Sequence, residues 1–339
     1  MELTIHNAAE FLRARGWLKP DEPAEVTFLG GGVSNIVLKV KTLRQCFVLK
    51  QALPKLRVEM DWRASIERIF IERDALKVLS TILPEGEVPR VVYDAPGNYL
   101  FAMTCAPDDA KNWKTELMAG NIEPWVAEEA GRMLGLIHRK CERDDSVRQR
   151  FADNTNFIQL RTDPYFVTVG QRHPDLKPIV EAEIKAVLET KWTFVHGDFS
   201  PKNILVIQHP ASSIRHLFLL DCEVAHVGHP AFDAAFCLNH LCLKAVKFPD
   251  RRKAYLDSAR CFWRAYATEI ATRELEELQR RTVMQLGLMQ LARVDGKSPA
   301  EYLTEPDNKE HVRRIGRGLV SKGFQRVEDA IQYVEQTDE

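Results

Sequence analysis

An α+β fold of two lobes is what this sequence predicts, on three observations. Strand-length apolar runs with period-two alternation crowd residues 25–103. A break rich in proline and aspartate, Ala106-Pro107-Asp108-Asp109, ends that pattern. Beyond it, long stretches carry helical periodicity, interrupted around residues 204–220 by short apolar strands. The expected boundaries are residues 1–105 for a small sheet-rich lobe and 106–339 for a larger, mainly helical one.

Each element has its own warrant. Residues 4–16 read as an amphipathic helix, with Ile5, Ala8, Ala9 and Leu12 on one face and Gly16 as a stop. Residues 25–53 read as three strands. Val26 and Phe28 lead into a glycine run, Ile36, Leu38 and Val40 alternate, and Cys46 to Leu49 follow a short turn. Residues 61–81 are helical, with Ile66, Ile69, Phe70, Ala75, Leu76 and Leu79 as the inward stripe. Arg63, Arg68 and Arg73 in that segment read as a solvated face. Strands over 88–93 and 99–103 flank a turn at Ala95-Pro96-Gly97-Asn98. Helices are expected over 124–139, 176–189, most of 231–295, and 308–337, with a frayed tail at 336–339. Short strands are expected near 204–206 and 217–220. No internal repeat or low-complexity tract is visible.

Composition bounds the function classes. The 339 residues are 45% hydrophobic and 28% charged, with ample apolar material for a core. Lys plus Arg is 47 against 48 for Asp plus Glu, a net charge of -1, so no global field draws the chain to nucleic acid or a membrane surface. The most apolar stretch, 231–246, contains Asp233, Asn239, His240 and Lys244 and is too polar to span a bilayer. The start, Met1-Glu2-Leu3-Thr4, lacks the basic segment and apolar block of a signal peptide. The seven cysteines show no paired spacing and read as reduced thiols, which points to the cytoplasm.

The chemistry concentrates in His196-Gly197-Asp198-Phe199-Ser200-Pro201-Lys202-Asn203, followed by Leu219-Leu220-Asp221-Cys222-Glu223. A transferring phosphoryl group carries charge that a divalent ion must neutralise, and the attacking hydroxyl must be held in line. Asp198 can take or orient the hydroxyl proton. Asn203 and Asp221 offer hard oxygens suited to Mg²⁺. Asp198 and Asn203 have the Asp-x-x-x-x-Asn spacing of a kinase catalytic loop. Asp221 ends an apolar strand, and Glu223 falls on the same face of an extended segment.

These motifs resemble the aminoglycoside phosphotransferase and choline kinase group of kinase-like enzymes. The likeness covers residues 25–245. It implies a two-lobed protein-kinase-like fold, a hydroxyl-bearing small-molecule partner, and ATP with Mg²⁺. Gly30, Gly31 and Gly32, with Ser34 and Asn35, look like the phosphate loop, although a plain hairpin turn uses the same residues. Lys50 looks like the lysine that contacts the α and β phosphates, with Glu72, or alternatively Glu67, as its helix partner. Backbone groups around Met103 and Cys105 would hold adenine between the lobes. Asp198 is the implied catalytic carboxylate, Asn203, Asp221 and Glu223 the implied metal ligands, and Asp233 the brace of the catalytic loop. His138 reads as a buried structural histidine, and His229 has no assigned role.

Within the group, Val48-Leu49-Lys50-Gln51-Ala52-Leu53-Pro54, Thr162-Asp163-Pro164-Tyr165 and Arg293-Val294-Asp295-Gly296 are similar to segments of the methylthioribose kinase branch. That likeness implies a sugar-like acceptor. An aminoglycoside, choline or another amino alcohol is the alternative acceptor, and a non-catalytic nucleotide-binding module is the alternative of a different class. Oligomeric state is not legible.

Overall fold

The structure, a computed structural model, describes residues 1–30, 35–53, 65–208 and 215–337. The chain divides into two compact units: Met1–Asp108 together with Leu220–Glu223, and Asp109–Leu219 together with Val224–Glu339. The expected boundary lay at residue 105, and Asp221 and Glu223 were expected in the second lobe. Here they pack with the first unit.

The first unit is built on β1 (Glu25–Phe28), β2 (Asn35–Lys41), β3 (Cys46–Ala52), β4 (Val91–Ala95) and β5 (Leu100–Thr104). They form one antiparallel sheet in the order β1-β2-β3-β5-β4. The alternation in β2 has its expected effect: Ile36, Leu38 and Val40 are buried. With Leu12, Phe47, Leu49 and Leu100 they make one apolar cluster, and burying each such side chain contributes about 1.5–3 kcal/mol. Helix α1 is shorter than expected, Ala8–Ala14, and Gly16 adopts a left-handed turn just beyond it. Helix α2 covers Arg68–Ile82. Its expected start at residue 61, and Arg63, lie outside the described residues.

Two expectations in this unit are corrected. Cys46 and Cys105 form a disulfide, with Cα atoms 5.8 Å apart, so they are not free thiols. The cause is register. β3 and β5 pair Phe47 with Thr104, which sets the next residue out on each strand face to face. Arg68, read as solvated, is fully buried.

The second unit is mainly helical. It opens with β6 (Lys111–Asn112), α3 (Trp113–Ala119) and α4 (Pro124–Cys141). Asn112 caps α3 by accepting the Thr115 N–H at 3.3 Å. Pro124 opens α4 where its missing N–H costs nothing, and His138, Arg139 and Lys140 sit in the last turn, where cations suit the helix dipole. Short helices α5 (Asp145–Arg150) and α6 (Thr155–Phe157) lead into a π-helix, Ile158–Val167, with Pro164 inside it. Then come α7 (Thr168–Arg172), α8 (Lys177–Glu189), β7 (Thr193–Val195), β8 (Ile204–Gln208), β9 (Arg215–Leu219) and β10 (His226–Gly228). β6, β8 and β9 make one small sheet, and β7 pairs with β10.

The unit closes with α9 (Ala231–Lys247), α10 (Arg252–Ile270), α11 (Leu275–Asp295), α12 (Pro306–Ser321) and α13 (Val327–Gln336). α4 and α10 approach so closely at Gly131 that a Cβ there would lie 2.2 Å from the Phe262 carbonyl oxygen. α9 is buried almost throughout, Lys244 included. No described helix is long and apolar enough to cross a membrane.

Candidate active site

The first unit brings together Lys50, Glu72 and Asp221. β3 carries Lys50 near its end, and the Lys50 ammonium lies 2.6 Å from Glu72 Oε1 and 2.6 Å from Asp221 Oδ1. Glu72 is the partner, and Glu67 is exposed at the start of α2. Burial alone would lower the lysine, but Asp221, Glu72 and Glu223 together hold it above its ordinary value. Burial pushes Glu72 up, against the pull of Lys50, because Asp221 and Glu223 add negative charge beside it. Asp221 has φ of 67°, a left-handed conformation that Asp tolerates better than most residues and that marks functional turns.

A second network stands beside this one. Glu223 Oε2 accepts from Arg68 Nε at 3.2 Å and from Asn35 Nδ2 at 3.0 Å. Arg68 also donates to the Leu53 carbonyl at 3.0 Å and the Ser65 carbonyl at 2.7 Å. Sequence reasoning missed Arg68. The available signal was its spacing from Glu72, since residues four apart share a helix face. Asn35 and Glu223, expected at phosphate and metal, therefore meet on Arg68. Gly30 is exposed beyond β1, while Gly31, Gly32 and Ser34 lie outside the described residues. Met103 pairs with Val48 across the sheet, and Cys105 is held by its disulfide.

The second unit holds the catalytic loop between β7 and β8. Its brace is Asp233, at the start of α9, which accepts the His196 N–H at 2.6 Å and the Gly197 N–H at 2.8 Å. Burial would raise the Asp233 carboxyl, yet His138, His196 and the Gly197 N–H together hold it below the usual carboxylate range. His138 is buried and sits between Asp233 at 3.3 Å and the Tyr266 hydroxyl at 3.0 Å, a structural position. Gly197 has φ of 77°, and a Cβ there would lie 2.8 Å from Val224 Cγ2.

Within the loop, Asn203 Nδ2 donates to the Asp198 carbonyl at 3.0 Å, which leaves the amide oxygen as its acceptor end. Asp198 Oδ2 lies 2.8 Å from Arg161 Nη2. Arg161 also donates to the Gly197 carbonyl at 2.8 Å, so one guanidinium fixes both loop and carboxylate. Arg161 sits on the π-helix, and sequence reasoning did not find it. Lys202 has an exposed side chain.

Among the described residues no cluster of three His, Cys, Asp or Glu side chains is placed to hold a metal. The donors present are hard oxygens, which fits an ion of the Mg²⁺ type that takes one or two protein ligands and completes its shell with phosphate and water.

A buried lysine answered by a helix glutamate is apparatus for nucleotide phosphates, and a braced loop carrying Asp and Asn is apparatus for directing a hydroxyl. Comparison with known proteins gives the class: the chain belongs to the phosphotransferase enzyme family, whose sequence model matches residues 25–269. The protein is thus a phosphotransferase of the small-molecule kinase kind. Methylthioribose kinase from Yersinia pseudotuberculosis serotype O:3 (strain YPIII) is 25% identical over 318 residues, covering 81% of this chain and 75% of that protein. 4-Hydroxytryptamine kinase from Psilocybe cyanescens is 24% identical over 273 residues, covering 70% and 74%. Among solved structures, the streptomycin–ATP–APH(2")-IIa ternary complex superposes with a TM-score of 0.52 at 15% identity, covering 94% of this chain and 99% of that one. A choline/ethanolamine kinase family protein from Mesorhizobium loti gives 0.54 at 14% identity, covering 97% and 99%. These likenesses bear out the expected family and the kinase-like α+β fold.

Proposed function

We propose that this phosphotransferase moves the γ-phosphate of ATP onto a hydroxyl of a sugar-like small molecule. The observation that carries the reading is Lys50, buried and gripped at 2.6 Å by both Glu72 and Asp221. A buried ammonium needs such partners, and this one is pre-positioned for the α and β phosphates. The glycines 30–32 with Ser34 are the further phosphate contacts, and backbone groups at Met103 and Cys105 hold the adenine. Asp198 receives the acceptor hydroxyl and orients it or takes its proton. Arg161 and Asp233 keep that carboxylate in place.

Mg²⁺ is the proposed ion, held by Asp221 and Asn203 with Glu223 as a third candidate, and it would neutralise charge on the phosphates. The 25% identity to a methylthioribose kinase supports a sugar-like acceptor. An ATP-consuming reaction of this kind suits the cytoplasm.

The test is ADP release by purified protein with ATP, Mg²⁺ and a panel of sugars, nucleoside-derived sugars, amino alcohols and aminoglycosides. A sugar-type acceptor should give Mg²⁺-dependent turnover that Asp198→Ala nearly abolishes. Near-normal turnover by Asp198→Ala, or an amino alcohol as the sole acceptor, would overturn the respective parts.

A further inference from the structure

Among the described residues, two buried cations in the second unit lack the carboxylate that buried cations normally require. Lys244, on α9, is fully buried. Its ammonium donates to the His240 carbonyl at 3.2 Å and lies 5.2 Å from the centre of the Tyr302 ring. Arg293, on α11, is 8% exposed. It donates to the Tyr165 hydroxyl at 3.3 Å and to Ser298, while its Nε and the Tyr302 hydroxyl have no hydrogen-bond partner among the described residues. Glu301 is the acidic side chain whose field reaches both cations, and it is spent on an ion pair with Lys114.

Three cations thus share one carboxylate. Leaving a buried charge unpaired is among the costliest features a fold can carry, and methionine would fill the Lys244 position without that cost. Burial, with Lys114 and Arg293 beside it, pushes the Lys244 ammonium down to about 7. An anion bound there would hold it charged.

The cluster is linked to the catalytic loop. Arg161, which pairs with Asp198, lies 5.7 Å from the Phe236 ring centre. That ring lies 5.8 Å from Tyr165, whose hydroxyl meets Arg293. Arg293, Tyr302 and His240 each keep a small exposed fraction, whereas Lys244 and the unpartnered Arg293 Nε and Tyr302 hydroxyl are closed to solvent, so an anion reaches them only when the side chains around them part.

We propose that Lys244, Arg293 and the Tyr302 hydroxyl form an anion subsite, and that the acceptor carries a carboxylate or phosphate as well as the hydroxyl that Asp198 addresses. The inference rests on the kinase reading and narrows its substrate class. It selects against neutral sugars and against cationic acceptors, which three nearby cations would repel.

Calorimetric titration of the full chain with ADP and Mg²⁺ tests it, using ribose, ribonate, ribose 5-phosphate and ethanolamine as probes. Ribonate or ribose 5-phosphate should bind at least about tenfold tighter than ribose and ethanolamine, as expected for a charge-assisted contact. The better of the two names the anionic group. Lys244→Met should erase that preference while melting no lower than the parent protein. Tyr302→Phe and Arg293→Gln should each weaken it, and they serve if the lysine variant does not fold. No anion preference, or one that survives in the variants, overturns the subsite. Turnover of ribose or ethanolamine in that case would leave the kinase reading standing. Anion binding that depends on Lys244, with no ATP consumed for any acceptor, would instead sink the kinase reading alone.

Discussion

Arg161 Nη2 lies 2.8 Å from Asp198 Oδ2, and Arg161 Nε lies 2.8 Å from the Gly197 carbonyl oxygen. One side chain therefore sets both the proposed catalytic carboxylate and the loop that carries it. The π-helix makes this possible by changing the angular spacing of side chains along the segment, and Pro164 within it removes a backbone donor.

Arg161→Gln should lower kcat by about a hundredfold, the scale of a misplaced reacting group, with little change in the KM for ATP. Arg161→Lys should recover only part, because an ammonium cannot make the same two directed contacts. Steady-state kinetics of the two variants checks this. An equal rise in the KM for ATP would show that Arg161 serves the nucleotide instead.

Asp221 and Glu223 should separate cleanly. Asp221→Asn should lose Mg²⁺-dependent nucleotide binding, since it removes the proposed anionic ligand. Glu223→Gln should keep most of that binding but lose stability, because it removes the negative charge that answers buried Arg68. Breaking a buried ion pair costs about 3–5 kcal/mol. Nucleotide titration with and without Mg²⁺, alongside thermal melting, reads both effects. If Glu223→Gln loses metal dependence as completely as Asp221→Asn, Glu223 is a ligand and not an anchor.

The sequence carried the periodic parts of this molecule and hid the long-range ones. Alternation in Ile36, Leu38 and Val40 announced a strand because one face meets the core. Glu72 was findable because its helix stripe fixed its direction. Arg68 follows from that same stripe, but its partner Glu223 lies 155 positions away and leaves no local trace. The Cys46–Cys105 bridge needed the register of β3 on β5, which depends on a pairing 59 residues long in sequence. Arg161 was invisible for a different reason: Pro164 and the π-helix disturb the period by which a helix face is read.

Gly197→Ala should cripple the catalytic loop. Alanine pays roughly 1–2 kcal/mol for the left-handed conformation at φ of 77°. The added Cβ would also lie 2.8 Å from Val224 Cγ2 and 2.9 Å from the Val224 carbonyl oxygen. Relief requires moving the loop off Asp233, which displaces Asp198 one residue on. The expected result is a lower melting temperature together with a kcat loss of about a hundredfold or more. A variant with native kcat would show that the loop tolerates the shift.

Acid should destabilise the protein from about pH 6.5 downward, the ordinary histidine range. Burial holds His226 down to about 4, and burial with Arg281 nearby holds His229 down to about 4. Burial and Lys244 hold His240 well below the usual value. Between the unfolded and folded values the unfolded chain binds the extra protons, so the histidines' contribution is full above pH 6.5 and drains as pH falls toward 4. Each histidine contributes a slope of about 1.4 kcal/mol per pH unit in that window. Glu72 works the other way. Its folded value is pushed up to about 7, so it favours the folded state more as pH falls toward 4.5, and it offsets the slope of one histidine. The net effect remains acid-destabilising. His226→Phe keeps a ring against Phe157, which the imidazole stacks on at 4.0 Å, and removes the titration. Urea unfolding at pH 7.5, 6.0 and 5.0 should therefore give a shallower fall for His226→Phe than for the parent, by about 1.4 kcal/mol per unit. Parallel curves would mean that His226 is not held neutral.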